Sequence, residues 1–402
     1  MRIAYFVHDV FDPAIARRVA MLQAGGADVR VIGFRRGDRV PDLEGEPAID
    51  LGRTYDSRLL QRALKVFQRR VSLGVDTSAV RDADILLARN LEMLVIANAA
   101  QRRHAPNATL VYECLDLHRL LLSGSPLGRI LRVLERSLMR RTGLLIVSSP
   151  AFISRYYAPK QGVGSTWNRP VIIVENKVVH LDAPHEGEPT DVEPPAGPPW
   201  RIGWYGMIRC QRSLDILCKL ASRFPGLVEV VIRGRPARVA FRDFDEQIAQ
   251  SRGVSFGGAY RPAELSALYG GVHFNWTIDY FEEGANSALL LPNRIYEGGP
   301  HGAVPIALAR TETGRWLNQR GIGVLFDSPG DELGCFLEHL TAGAYGRLRQ
   351  AVRSQPRRSF VADRTDCESL VNALALAARG EAAGDCAASD VDVRPARSIN
   401  TV

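Results

Sequence analysis

Residues 201–221 read RIGWYGMIRCQRSLDILCKLA, and this stretch decides the fold. Residues 201–205 form a short apolar run of strand character, and 206–213 follow as a polar turn with one glycine and two arginines. Leu214, Leu217, Leu220 and Ala221 then recur at helical spacing. A strand that passes through a glycine turn into an amphipathic helix is one unit of a parallel sheet. The turn at Gly206 lets a ligand approach the backbone, the helix start offers unpaired N–H groups, and Arg209 and Arg212 supply bidentate positive charge. That combination suits a diphosphate. Two cations set against the helix dipole are unfavourable at a merely solvated helix start, and an anion accounts for them.

Outward from this unit the pattern repeats. Apolar, β-branched runs at 228–233, 254–257, 273–276, 304–308 and 323–326 predict further strands. A separate series at 3–7, 29–32, 85–88, 109–113, 144–147 and 171–174 does the same in the first half. Near-continuous apolar strands separated by helical patterns imply parallel sheets covered on both faces. The 402 residues suit two such domains better than one. Residues 183–199 (APHEGEPTDVEPPAGPP) hold six prolines and four acids, which propagate neither helix nor central strand. The predicted organisation is therefore a domain at 1–182, a linker at 183–199, a second domain at 200–379, and an aperiodic, disordered tail at 380–402.

Hydrophobic content of 46% with 24% charge is that of a globular protein. No apolar run approaches the ~18 to 20 residues that span a bilayer, and the first apolar run reads as a buried strand rather than a leader peptide. Six scattered cysteines without a C-x-x-C pair read as reduced thiols, which fits a cytoplasmic setting. The net charge of +7 is uneven: residues 1–182 carry 27 Lys/Arg against 18 Asp/Glu, and residues 183–402 carry 24 against 26. Something anionic is expected to meet the first half. Helical patterns at 57–71 and 127–141, each with five basic residues beside apolar positions, suit an anionic bilayer. No aromatics interleave with these charges, which argues against nucleic acid. Neither leading strand is followed by G-x-G-x-x-G, and no phosphate-binding P-loop or G-x-S-x-G elbow occurs, so hydride transfer, ATP hydrolysis and serine hydrolysis lose support.

A second cluster is LPNRIYEGGPHGAVPI at 291–306. Proline at a helix start sets Glu297 about one turn in, where a carboxylate can accept both hydroxyls of a ribose. In the first half, the strand at 109–113 leads into Cys114-Leu115-Asp116-Leu117-His118, so Asp116 and His118 leave its carboxyl end, where such sheets hold ligands. Either could act as a general base; alternatively Asp116 caps the next helix and His118 packs.

The second half resembles the C-terminal domain of GT-B glycosyltransferases of the family-4 type, with Gly206 to Arg212 similar to their diphosphate loop and Arg212 in place of the usual lysine. Arg233-Gly234-Arg235-Pro236 resembles the glycine turn after the next strand. Residues 254–269, with Tyr260 and Arg261, are similar to the base-binding loop and its helix. Asn293 and Arg294 open the segment whose glutamate binds the ribose, carried over to Glu297. The nearest resemblance is to transferases of bacterial exopolysaccharide assembly of the succinoglycan kind. It implies two Rossmann-like, doubly wound α/β domains facing a cleft.

Retaining members have a second glutamate where Leu289 stands here, with Glu282 and Glu283 out of register. The patch at Asp116 and the loop His8-Asp9-Val10-Phe11-Asp12-Pro13 are similar to the xanthan-pathway glucuronosyltransferase, an inverting enzyme. The resemblance thus implies inverting transfer from a nucleotide-sugar, a UDP-sugar, to a lipid-linked oligosaccharide at the inner face of the cytoplasmic membrane; no cofactor and no metal are expected, since the arginines and a helix N-terminus can neutralise the leaving diphosphate and no Asp-x-Asp ligand pair lies in a plausible loop. A nucleotide-sugar 2-epimerase and a non-catalytic assembly protein are the rival readings, since both use the same architecture.

Overall fold

The computed structural model describes residues 1–35, 42–43, 46–53, 77–181 and 192–381. The chain divides into two compact units, Met1–Glu175 with Val179–Leu181 and the segment from Ala362 onward, and Asn176–Val178 with Asp182–Val361. In the first unit the strands are β1 (Arg2–Val7), β2 (Asp28–Arg35), β3 (Ile49–Arg53), β4 (Ile85–Arg89), β5 (Thr109–Cys114), β6 (Thr142–Val147) and β7 (Val171–Ile173). They hydrogen-bond in the order β3-β2-β1-β4-β5-β6-β7, all parallel. β1, β4 and β6 are almost wholly buried, which is why they read as unbroken apolar runs.

In the second unit β8 (Trp200–Ile208), β9 (Val228–Pro236), β10 (Val254–Phe256), β11 (Phe274–Trp276), β12 (Val304–Leu308) and β13 (Val324–Phe326) form a parallel sheet in the order β10-β9-β8-β11-β12-β13. Each sheet reverses its winding once. The switch lies between β1 and β4 in the first unit and between β8 and β11 in the second, and the carboxyl ends flanking such a point are where open α/β sheets bind ligands.

The chain departs from the expected domain boundaries at its end. The helix α1 (Pro13–Ala24) of the first unit packs against the last helix, α2 (Arg364–Arg379), which had been expected to close the second domain. Cys367, Leu370 and Leu374 join a core with Ile3, Tyr5 and Val29. Gly25 permits the approach, because a Cβ there would lie 2.4 Å from the Cys367 carbonyl oxygen. Burial of the leucine face stabilises this placement, and Gly380, at φ 71°, ends the helix. Of the expected linker, residues 192–199 are described; Pro195 and Glu193 are tied to the second unit through His273, Arg349 and Arg353. The basic pattern at 57–71 and the tail from residue 382 lie outside the described residues. No helix among the described residues is long and apolar enough to cross a membrane.

Candidate functional site

In the second unit β8 and β9 run in register from Trp200↔Val228 to Ile208↔Pro236, which sets Gly206 opposite Gly234. β8 thus continues three residues past the expected strand end, with Gly206 inside it rather than in the turn. The pairing demands glycine on both sides: φ is 99° at Gly206 and 140° at Gly234, and a Cβ on Gly234 would lie 1.8 Å from the Gly206 carbonyl oxygen. The Gly234 N–H donates to the Gly258 carbonyl at 2.8 Å, drawing in the loop after β10. Tyr260 in that loop brings its hydroxyl to 3.9 Å from where a Gly206 Cβ would stand.

After β8 only two residues remain before the helix α3 (Gln211–Arg223), whose start is capped by the Cys210 sulfur accepting from the Ser213 N–H at 3.3 Å. Arg209 and Arg212 sit here and reach across the switch point to the loop after β11. Arg209 pairs with Asp279 at 3.4 Å and lies over the Phe281 ring at 4.5 Å. Arg212 pairs with Glu283 and lies over the Tyr280 ring at 4.2 Å, and Arg310 approaches the other oxygen of Glu283 at 3.0 Å. Both guanidiniums are thereby held in place while keeping about half their surface open, at 40% and 52% exposure. Asp279 and the aromatic pair were not singled out from sequence. Beside Asp279 is a shallow dent, too small for a ligand, lined by Thr277, Ser287, Leu290, Thr311 and Thr313.

Glu297 lies in the helix α4 (Asn293–Gly298), with Asn293 at its first position. Its carboxylate accepts from the Tyr269 hydroxyl at 3.1 Å. Tyr269 is fully buried, and burial together with Glu297 pushes its hydroxyl far up, so it remains a donor. Its ring meets Tyr205 edge-on at 4.9 Å, and Tyr205 meets Tyr260 at 6.4 Å. One aromatic chain therefore joins Glu297, Tyr260 and Gly206. Arg294 is occupied otherwise: it donates to the Trp276 carbonyl at 2.8 Å, closing the end of β11. Arg261 points outward, 87% exposed, while Arg233 organises the loop by donating to the Gly258 and Ala259 carbonyls and pairing with Glu264 at 3.0 Å.

In the first unit Asp116 and His118 are both exposed beyond β5, on either side of buried Leu117. The helix cap falls to His118, whose Nδ1 accepts from the Leu120 N–H at 3.3 Å, not to Asp116 as the alternative reading had it. Beneath them lies a charge cluster that sequence reasoning missed. Glu113, fully buried, accepts from the Tyr5 hydroxyl at 2.5 Å and from Arg18 Nε at 2.6 Å, with Arg89 Nε at 3.6 Å. Burial pushes the Glu113 carboxyl up, but Arg18, Arg89 and the Tyr5 hydroxyl outweigh it and hold it below its ordinary range. A glutamate inside an otherwise apolar strand was the available signal. Among the described residues no group of three or more His, Cys, Asp or Glu is placed to hold a metal ion.

No protein-family model matches the chain. It is 44% identical over 380 residues to the succinoglycan biosynthesis protein ExoL of Rhizobium meliloti (strain 1021), covering 93% of each chain. Among solved structures, Anabaena Alr3699/HepE in complex with UDP superposes with a TM-score of 0.63 at 14% identity, over 93% of this chain and 99% of the other. The sucrose-phosphate synthase of Thermosynechococcus elongatus gives 0.61 at 12% identity, over 94% and 97%. Identity of this level across nearly the whole length, on two doubly wound sheets, means that the chain belongs to the family of the succinoglycan biosynthesis protein ExoL and has the GT-B glycosyltransferase fold.

Proposed function

We propose that the protein is an exopolysaccharide glycosyltransferase that moves a sugar from a UDP-sugar to a lipid-linked oligosaccharide with inversion at the anomeric carbon. The observation that carries this reading is the set of groups around the carboxyl end of β8: the facing glycines of β8 and β9, two guanidiniums aligned by Asp279 and Glu283, and Glu297 on the same aromatic chain as Tyr260. Gly206 and Gly234 let the diphosphate approach the backbone. Arg209 and Arg212 exchange their carboxylate partners for its oxygens and neutralise charge on the departing UDP. Glu297 accepts the ribose hydroxyls, and the loop of Tyr260 and Arg261 surrounds the base. HepE, of the same fold, is seen with UDP, which supports the choice of nucleotide.

The first unit supplies the base. The acceptor hydroxyl oxygen bonds to the anomeric carbon, the bond from that carbon to the phosphate oxygen breaks with its electron pair leaving on UDP, and the hydroxyl proton passes to Asp116. His118 orients the acceptor. The helix Pro126–Met139 docks on an anionic inner-membrane surface: Leu127, Ile130, Val133 and Leu134 are 40–64% exposed along it, with Arg129, Arg140 and Arg141 open to solvent beside them. Asp116→Asn keeps the shape and removes the basicity, so transfer is expected to fall by about 10² to 10⁴ while UDP affinity holds. Near wild-type transfer by both Asp116→Asn and His118→Ala, or an α-linked product from an α-linked donor, overturns the mechanism.

A further inference from the structure

The switch point of the first unit carries groups that the transfer mechanism leaves unused. β4 ends there at Arg89, beside the end of β1 on one side and of β5 on the other. Arg89 is 1% exposed, yet no described residue accepts a hydrogen bond from its Nη1 or Nη2. Glu113 does not serve them: its oxygens take the Arg18 Nε and the Tyr5 hydroxyl, and Arg89 approaches it only through Nε at 3.6 Å. Buried donors of this kind are costly unless something completes them.

Asn90 follows at the start of the helix Asn90–His104. It has the one positive φ of any described non-glycine residue, 68°, and its Oδ1 is likewise buried without a partner. Backbone strain beside orphaned polar atoms is a mark of a binding position. A planar fork of donors next to an acceptor matches adjacent hydroxyls, each of which accepts one hydrogen bond and donates another. The surrounding charge selects against anions. Burial works against the Arg89 charge, and Tyr5, Glu113, Asp12 and Asp116 outweigh it; with Asp12 at the start of α1 and Asp116 beyond β5, the nearby carboxylates offset the guanidiniums and favour a neutral sugar over a phosphate or a uronate.

We infer that Arg89 and Asn90 form a saccharide subsite of the first unit, in which the Arg89 Nη groups donate to, and Asn90 Oδ1 accepts from, adjacent hydroxyls of a neutral sugar. Given the transfer reading above, that sugar is the terminal residue of the acceptor, and Asp116 acts beside it.

Asn90→Gly tests this, since glycine adopts the positive φ without strain while the side-chain amide that carries Oδ1 is removed. Arg89→Lys keeps the charge beside Glu113 and removes the fork. Binding of octyl β-D-glucoside, octyl β-D-galactoside and octyl β-D-glucuronide, below their micellar concentrations, is measured by saturation-transfer NMR on the full chain, with UDP titrated separately. The wild type is expected to take the neutral glycosides in preference to the glucuronide. Both variants should lose about tenfold or more of that affinity, as polar sites do when a hydroxyl partner is missing, with UDP affinity unchanged. Undiminished glycoside binding in Asn90→Gly, a preference for the glucuronide, or no glycoside binding by the wild type overturns the subsite. Absence of UDP binding by the wild type, with the glycosides bound as expected, would instead defeat the donor assignment.

Discussion

His273 gives a quantitative test of the second unit, because its environment dictates one protonation state. It is fully buried just before β11. Its Nδ1 accepts from the Arg201 N–H at 2.9 Å, so Nε2 must carry the proton that meets the Pro195 carbonyl at 2.9 Å. Protonating Nδ1 would destroy the first bond. Burial lowers the pKa; the Pro195 carbonyl opposes this, the Arg201 and Arg349 charges add to the lowering, and Glu229 opposes weakly, leaving a value of about 4 against an ordinary 6.5. A histidine depressed in the folded state adds stability that is complete above pH 6.5 and is lost as pH falls toward about 4, where the folded form begins to take the proton as well. The gap of about 2.5 units, at 1.36 kcal/mol each, bounds the effect at about 3.4 kcal/mol, of which about 2 kcal/mol is gone by pH 5. Four of the five tryptophans (Trp200, Trp204, Trp276 and Trp316) lie in the second unit, so urea unfolding followed by their fluorescence reports on it. Between pH 7.5 and pH 5 the wild type should lose about 2 kcal/mol more than His273→Asn, whose amide oxygen can accept from Arg201 but does not titrate. Equal losses in the two proteins, or an NMR titration of His273 near 6.5, would refute the reasoning.

Gly234→Ala should destabilise the second unit by about 3 kcal/mol or more in urea unfolding, because the new Cβ collides with the Gly206 carbonyl at a glycine-only φ. Gly226→Ala, at φ 78° with open space around it, isolates the strain alone and should cost about 1 to 2 kcal/mol; matching losses at the two sites would count against the facing-glycine geometry. Glu297→Gln should weaken UDP binding in calorimetry by about 1.5 to 3 kcal/mol, and Tyr269→Phe, which only releases the carboxylate, by about 0.5 to 1.5 kcal/mol. A larger effect from Tyr269→Phe than from Glu297→Gln reverses their roles. Ile130→Glu with Val133→Glu should abolish co-sedimentation with anionic vesicles, and wild-type binding should fall with salt at about 1 kcal/mol per engaged arginine; binding indifferent to lipid charge would remove the docking face.

What could be read in advance follows from how local each cause is. Gly206, Arg209 and Arg212 lie within seven residues of one another and their types alone suggest an anion site, so the second unit's chemistry was open to inspection. Their partners were not, because Asp279 and Glu283 stand about seventy residues away and meet them only once the sheet has placed β11 next to β8. The facing of Gly206 with Gly234 is likewise a matter of register, which no single strand contains. The last helix shows the same limit in another form: Leu370 and Leu374 announce an apolar face, but an apolar face does not say which core will cover it, and here the covering core belongs to the other end of the chain. The first unit was hardest to read because its charges are spread one or two to a strand, Tyr5 on β1, Arg89 on β4 and Glu113 on β5, with Arg18 on α1. Each alone resembles an irregularity in an apolar run. Their meaning appears only in the parallel order β1-β4-β5, which stacks three ordinary strand ends into one buried cluster with two guanidiniums to a single carboxylate. A buried cluster of ionised groups is not something that hydrophobic patterning selects for. Its presence under the exposed Asp116 and His118 therefore argues that the carboxyl edge of this sheet is shaped for a ligand, as the glycines and arginines of the second sheet already imply.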